Sequence, residues 1–224
     1  MGGAVGEILP LAVAVAVSPI PIIAVVLLLS TPRGTANALS LMLGYIVGLV
    51  VVGAIVLLVS GGADASERGG PADWVSWLKL ILAALMFWLA VRYWRSRPRG
   101  GRLAELPGWM RTIDPITPGR ATAIGVALTA INPKNLILTV GAATTIAQTG
   151  ISGSRQAASL AVFVVIACLG PAVPIAIDLT MRERATKLLT ELQTWLAAHN
   201  AAIMAVICLL IAAKLAGDAI SGLA

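Results

Sequence analysis

Six long apolar runs separated by short polar segments constrain this chain more than any other feature. They cover residues 8–29, 36–59, 75–94, 121–147, 157–179 and 201–219. Each run is close to the roughly 20 residues that a helix needs to cross a bilayer, and each is too long for a buried strand. Since 58% of the residues are hydrophobic and only 12% are charged, we predict an all-α polytopic membrane protein with six transmembrane helices.

The composition also excludes several classes of protein. No polar block is long enough to form a large soluble catalytic domain. His199 is the only histidine, and Cys168 and Cys208 lie within apolar runs without a C-x-x-C spacing. We therefore expect no metal site, no cofactor and no disulfide framework. No phosphate-binding glycine loop is present, which excludes an ATP-driven motor, and the net charge of +6 reflects membrane topology rather than nucleic-acid binding.

Lysine and arginine residues outside the apolar runs are distributed very unevenly between the two membrane sides. Arg68 and Arg155 fall on one side, and eleven residues fall on the other. The eleven are Arg33, Arg92, Arg95, Arg97, Arg99, Arg102, Arg111, Arg120, Arg182, Arg184 and Lys187. The positive-inside rule places these eleven in the cytoplasm. The sequence thus predicts a multi-pass protein of the cytoplasmic (inner) membrane with both termini outside.

This topology divides the chain into two halves of opposite orientation. Residues 1–95 form the first predicted three-helix repeat, residues 96–119 a cytoplasmic linker rich in Arg, Pro and Gly, and residues 120–224 the second three-helix repeat. The two repeats are therefore predicted to be inverted. Residues 181–198 carry Leu and Trp on one face and charged residues on the other, which predicts an amphipathic helix on the inner membrane surface.

The first span of each half is interrupted by proline at a corresponding point. The interruptions are Ser18-Pro19-Ile20-Pro21 and Asn132-Pro133-Lys134-Asn135, and Pro19 and Pro133 lie 114 residues apart. Proline removes a helical hydrogen bond, and within lipid the freed carbonyl needs another partner. Paired interruptions in two halves are typical of a binding site at the repeat interface. The alternative is that both are ordinary proline kinks that serve packing.

Lys134 is the intramembrane charge that most favours such a site. It lies about 14 residues past Arg120, hence ~21 Å into an apolar layer of ~30 Å. A lysine at that depth costs roughly 2.5–3.5 kcal/mol unless it is paired or hydrated. Asp178, close to the inner interface, is too shallow to meet Lys134 if its helix is straight. The candidate substrate-binding residues are Ser18, Pro19, Pro21, Asn132, Pro133, Lys134, Asn135 and Asp178.

Three further residue pairs have interpretations other than substrate binding. Lys214 and Asp218 are spaced i, i+4 and are predicted to pair locally. Gly44-x-x-x-Gly48 on the second span predicts close helix packing and says nothing about a substrate. Ser18 and Lys134 lie on the two broken spans and could in principle act as nucleophile and base.

Several segments together resemble one protein family. They are WMRTID at 109–114, TPGRA at 117–121 and ALTAINPKNL at 127–136, and Ser18-Pro19 and Gly44-Tyr45 also fit. Over essentially its whole length, the chain resembles the GAP/Sap family of actinobacterial six-span proteins. The name stands for glycopeptidolipid- and sulfolipid-addressing proteins, which belong to the lysine-exporter (LysE) superfamily.

The resemblance implies export or surface addressing of envelope (glyco)lipids beside a larger lipid transporter, with a two-repeat fold and a central site near the paired breaks. Amino-acid exporters of the superfamily have an Asn-Pro-Lys segment that matches Asn132, Pro133 and Lys134. Disulfide-reductant transporters carry cysteines where Ser18 and Asn132 stand here, which disfavours redox transport. The nickel/cobalt exporters need histidines that this chain lacks.

Four functions follow from these observations. The leading hypothesis is a transporter, not an enzyme, that moves an anionic envelope lipid or lipid-linked glycan toward the outer face. Lys134 would attract the anionic group, and Ser18 and Asn132 would supply hydrogen bonds. The alternatives are a small amino-acid exporter, a membrane-embedded transferase that modifies a lipid, and a scaffold for a larger exporter. A homodimer is compatible with each of them.

Overall fold

The computed structural model describes residues 2–62, 73–97, 116–181 and 185–223, and this part of the chain is helical apart from short connections. The helices are α1 (Gly2–Ala16), α2 (Pro19–Leu29), α3 (Gly34–Gly62), α4 (Asp73–Ser96), α5 (Pro118–Ala130), α6 (Pro133–Gln148), α7 (Gly153–Met181) and α8 (Ala185–Leu223). Four of them, α3, α4, α7 and α8, are long and apolar enough to cross a membrane, and the count reaches six if each of two bent pairs is one span. The predicted all-α membrane protein is confirmed.

Each bent pair is a predicted span that proline divides into two helices. The angle is 46° between α1 and α2, and 64° between α5 and α6. Ser18 and Asn132 have extended backbone, because the residue before a proline is pushed out of the helical region. Pro19 and Pro133 then open the next helix, where a missing N–H costs no hydrogen bond. Pro21 also lies in a first turn, whose N–H groups have no partner within the helix.

The helices pack around one apolar core. The main contacts join α4 to α8, α3 to α5, and α1 to α7, while α6 contacts α1 and α3, and α2 contacts α7 and α8. Fully buried members of the core include Leu11, Tyr45, Leu138, Phe163 and Leu215. Both broken spans therefore run through the interior of the bundle, where their polar groups are surrounded by apolar side chains.

The outer surface of the bundle is also apolar. On α3 alone, Leu39, Leu43, Leu58 and Val59 are more than half exposed. So much exposed apolar surface is unfavourable in water and is expected where helices face lipid. The exposed face of α3 thus supports the membrane location that its composition predicts.

Small residues allow α3 to approach α5 closely. A Cβ atom added at Gly44 would lie 2.0 Å from the backbone oxygen of Thr122, and one added at Gly48 would lie 1.8 Å from Oγ1 of Thr129. Real Cβ atoms do not approach other heavy atoms below 3.0 Å. Glycine at both positions is therefore what lets the backbones of α3 and α5 meet.

The predicted surface helix at 181–198 differs from the structure. Residues from Ala185 onward are helical, but they continue without a break as α8 into the sixth span. Ala185 and Leu189 pack against Val26 of α2, and Leu196 joins the main core. The predicted helix is thus present from Ala185, but its apolar face is only partly buried in the bundle, since Leu188 and Trp195 remain exposed. Its position at the membrane surface stays a prediction.

Several predicted features lie outside the described residues. These are most of the 96–119 linker, namely 98–115, and the cations Arg68, Arg99, Arg102, Arg111, Arg182 and Arg184. Lys214 and Asp218 are described, and they form the predicted local salt bridge within α8.

Candidate functional site

The two breaks have nearly the same backbone geometry. Ser18 has φ −64° and ψ 115°, and Asn132 has φ −67° and ψ 113°. Each residue is the N-cap of a helix whose first residue is proline. Equivalent sequence positions 114 residues apart thus adopt equivalent conformations.

The break in the first span frees the carbonyl of Ala14 near the end of α1. The Val17 N–H bonds the carbonyl oxygen of Val13, and the Ser18 N–H bonds that of Val15. In a continuous helix the Ser18 N–H would bond Ala14 instead. The Ala14 carbonyl oxygen is left without its helical donor, at the negative end of the α1 dipole.

Lys134 supplies the missing donor from the other broken span. Its Nζ donates a hydrogen bond of 2.7 Å to the Ala14 oxygen. Lys134 is the second residue of α6, and its side chain is 0% exposed. An ammonium at a helix C-terminus is electrostatically favourable, so the break in one half is capped by a residue from the break in the other.

The second break frees an equivalent carbonyl at the end of α5. Ile131 and Asn132 both donate their N–H groups to the Ala127 oxygen, which leaves the Leu128 oxygen without a helical donor. Asn135 fills this place through its Nδ2, at 2.9 Å. Leu128 lies 114 residues after Ala14, so the two freed carbonyls occupy the same position relative to their prolines.

Asn135 links this second cap to the core. Its Nδ2 also lies 3.5 Å from the hydroxyl of Tyr45 on α3. Its backbone oxygen accepts a hydrogen bond of 2.8 Å from Oγ1 of Thr139. All three residues are fully buried. A polar network therefore runs from α5 through the first turn of α6 to α3.

The two N-cap side chains behave differently. Oδ1 of Asn132 accepts a hydrogen bond of 3.2 Å from the backbone N–H of Lys134, which is the usual role of an N-cap. Ser18 is fully buried, and its Oγ has no hydrogen-bond partner among the residues that the structure describes. A buried polar group without a partner costs about 1–3 kcal/mol. The Ser18 hydroxyl is thus a polar group that a ligand could satisfy.

Lys134 is held by neutral groups. Among the described residues, no carboxylate lies within salt-bridge distance of its ammonium. Asp178, at the end of α7, instead accepts a hydrogen bond of 3.3 Å from Oγ1 of Thr35 on α3. Although α7 contains Pro171 and Pro174, it stays one helix. The structure places Asp178 with Thr35 rather than with Lys134.

Two apolar grooves flank the break in α1. One, of about 360 Å³, lies along α1 before the break, and the other, of about 330 Å³, lies beside the break, mainly against α7 and α8, and reaches Ile22 of α2. Both include Val17, and both are lined by α8. The first is lined by Leu9, Pro10, Val13, Ala14, Val17, Ile207, Leu210 and Ile211, and the second by Ala16, Val17, Ile22, Leu169, Gly170, Val173, Pro174, Leu192 and Leu196.

Two features of this region, and one buried lysine elsewhere in the bundle, are missed by sequence reasoning. The Ala14 carbonyl has no side-chain signature, although counting four residues back from Ser18 would identify it. Tyr45 enters only through the family resemblance, and nothing in its spacing predicts the contact with Asn135. Lys79 is a second buried lysine, on α4, and its position inside the third apolar run was a signal of the same kind as that of Lys134.

Comparison with known proteins gives one match. A family model described as "Sap, sulfolipid-1-addressing protein" matches residues 8–221, which is nearly the whole chain. No curated protein and no solved structure matches.

Proposed function

Since the chain belongs to the Sap, sulfolipid-1-addressing protein, family, we propose that it moves or addresses an anionic (glyco)lipid to the outer face of the cytoplasmic membrane. It is a membrane protein, and its family connects it with the addressing of an envelope lipid. Three points of the proposal go further than family membership. They are that the protein itself transports the lipid, where the lipid binds, and which way the protein lies in the membrane.

The observation that carries the proposal is the placement of Lys134. It is a fully buried cation at the junction of two broken spans, and it is bonded to a neutral carbonyl. A buried charge without a counter-ion is costly within a membrane and usually marks a substrate or ion pathway. An anionic headgroup is the chemistry that would satisfy it. The N-terminal ends of α2 and α6 add the positive ends of two helix dipoles.

The remaining polar and apolar surfaces fit the two parts of an amphipathic lipid. The unpaired hydroxyl of Ser18 would donate to an oxygen of the headgroup, and Asn132 would hold the first turn of α6 in place. The grooves on either side of Val17 would hold an acyl chain, because their linings are apolar and they border the break.

We also propose that the fold consists of two inverted three-helix repeats, as in the LysE superfamily, with both termini outside. The equivalent breaks, the equivalent freed carbonyls and their constant offset of 114 residues support this arrangement. The helix contacts support it as well. The contact of α3 with α5 corresponds to that of α7 with α1, and the contact of α3 with α6 corresponds to that of α7 with α2.

The test is a lipid inventory of a deletion strain of the native host, with surface-extractable and whole-cell lipids separated. The strain is complemented with the wild type, with Lys134→Ala, or with Lys214→Ala. Lys214 is the matched control, since it is also an intramembrane lysine but pairs with Asp218. We expect one anionic lipid to be made normally but to be depleted from the surface of the deletion strain.

Lys134→Ala should leave that lipid depleted by about tenfold or more, because a hydrogen bond to a charged group is worth ~1.5–3 kcal/mol. The wild type and Lys214→Ala should restore it. Full restoration by Lys134→Ala would contradict the site. A lipid that lacks a substituent would instead favour a transferase that uses Ser18. An unchanged lipid inventory with altered amino-acid efflux would favour an exporter of the LysE type.

A further inference from the structure

The end of α1 has the features of a cation site. In transporters with broken helices, the carbonyls at half-helix C-termini coordinate the coupling Na⁺ or H⁺. Here the freed Ala14 oxygen lies at such an end, and the Lys134 ammonium lies 2.7 Å from it. The α1 cation site is the name used below for the Ala14 oxygen and the space that the ammonium fills. The ammonium of Lys134 occupies this site in the place of a free cation.

The second break provides an internal comparison. The Leu128 oxygen at the end of α5 is freed in the same way, and the neutral amide of Asn135 bonds it at 2.9 Å. A neutral donor is therefore sufficient to cap a carbonyl in this environment. The equivalent carbonyl of α1 receives an ionisable donor, at an expected cost of ~2.5–3.5 kcal/mol for a lysine in the membrane. Capping alone does not explain that choice.

Among the described residues, the Ala14 oxygen is the group that bonds the Lys134 ammonium, so the protonated form depends on this contact for its stability. The ammonium has three N–H donors, and one hydrogen bond to a described residue accounts for one of them. None of the other ionisable side chains that the structure describes on the helices bonds the Lys134 ammonium. These side chains are Glu7 of α1, Tyr45 of α3, Lys79, Arg92, Tyr93 and Arg95 of α4, Arg120 of α5, Arg155, Cys168 and Asp178 of α7, and Lys187, Glu191, His199, Cys208, Lys214 and Asp218 of α8.

We propose that Lys134 carries the coupling proton, and that the α1 cation site holds its protonated form in the occluded state. This inference rests on the proposed transport function. When α1 and α6 separate toward one side of the membrane, the ammonium loses the Ala14 oxygen, and an N–H bond breaks to give a neutral amine and a proton that passes to water. Opening toward the other side allows the amine to take up a proton and return to the site. The coupling ion is thus H⁺, with no need for Na⁺.

The cation site is tested first on purified protein in detergent, independently of transport. Lys134→Ala empties the site, and methylammonium chloride is then compared with choline chloride at equal concentration. Methylammonium should raise the thermal midpoint of Lys134→Ala by about 3–6 °C at a tenfold excess over its dissociation constant. Asn135→Ala is the control, because it uncaps the neutral position while the adjacent Lys134 charge repels a cation. No rise for Lys134→Ala, or an equal rise for Asn135→Ala, would overturn the cation site.

Proton carriage is tested by delivery of the lipid in the complemented deletion strain. Lys134→Arg keeps a positive charge but does not release a proton. It should melt near the wild type and deliver less than about a tenth as much lipid to the surface. Wild-type delivery by Lys134→Arg would refute proton carriage.

A second variant covers the case in which arginine does not fit. Cells with Lys134→Ala receive methylammonium or Na⁺, and only methylammonium, which can release a proton, should restore delivery. Wild-type cells in the same medium control for effects on the pH gradient. Equal restoration by Na⁺ would refute the coupling role. Unchanged surface lipids in the deletion strain would refute the proposed function and the coupling role together. The cation site would then be decided by the thermal midpoints measured in detergent.

Discussion

Gly170 of α7 is a position at which one added methyl group should disturb the candidate site. A Cβ atom there would lie 1.7 Å from the backbone oxygen of Ala16 in α1, whereas ordinary contact begins at 3.4 Å. The obstacle is backbone, so no side chain can rotate away. Gly170→Ala must therefore push α1 and α7 apart by up to the difference between these distances, about 1.7 Å.

The expected destabilisation has two contributions. Overpacking of a tight helix contact costs about 1–3 kcal/mol. Ala16 lies two residues after Ala14, so a shift of this size would also lengthen the 2.7 Å bond between Lys134 and the Ala14 oxygen beyond useful hydrogen-bond range. A lost hydrogen bond to a charged group costs about 1.5–3 kcal/mol. The sum is about 2.5–6 kcal/mol, or a fall of at least about 5 °C in the thermal midpoint of a chain of this size.

The assay is thermal unfolding of the purified variants in one detergent, followed by helical circular dichroism. Gly217→Ala is the matched control. Gly217 also lies inside a long helix, and a Cβ atom there meets nothing within 4 Å. Alanine should be neutral or stabilising at that position, by up to ~1 kcal/mol of helix propensity. A Gly170→Ala midpoint within about 2 °C of the wild type would refute the close approach of α7 to the end of α1.

Four further substitutions test the polar groups of the structure in the same unfolding assay. Asn132→Ala should lower the free energy of unfolding by ~1 kcal/mol, because it removes the N-cap. Ser18→Ala should not lower it, since the Ser18 hydroxyl caps nothing, and equal losses in the two variants would contradict this difference. Asn135→Ala should cost ~1–3 kcal/mol because it leaves a buried carbonyl unpaired, and a smaller loss than that of Asn132→Ala would argue against the cap on α5. Lys214→Ala should cost less than ~1 kcal/mol, because its pair with Asp218 is partly exposed, and a larger loss would show that this pair is structural.

Local chemistry explains why the positions of the two breaks could be predicted. Proline lacks an N–H and restricts the residue before it, so Ser18-Pro19 and Asn132-Pro133 determine where the first helix of each broken span ends and the second begins. The depth of Lys134 in the membrane stays a prediction, which rests on the nearly constant values of helical rise and membrane thickness. These predictions depend on neighbouring residues alone.

The partners of the site residues could not be predicted in the same way. The bond from Lys134 to the Ala14 oxygen joins residues 120 positions apart, and it depends on how two bent spans pack against each other. The packing of residues 185–198 within the bundle could not be predicted for a related reason. An amphipathic pattern shows that Leu189 and Leu196 need an apolar partner, but it does not distinguish the membrane surface from the side of α2.

The two halves have equivalent breaks, but the side chains that cap the freed carbonyls come from only one of them. Lys134 bonds the freed carbonyl of α1 and Asn135 bonds that of α5, so both caps come from the first turn of α6. The residues of α2 at the corresponding positions, 114 earlier, are Ile20 and Pro21. Neither has a side-chain donor. A shift of the first turn of α6 by about 1 Å would stretch both bonds beyond useful range, whereas the same shift of α2 would break neither. If the halves alternate during transport, the first turn of α6 is therefore the element through which binding at Lys134 would be coupled to the angle of both broken spans.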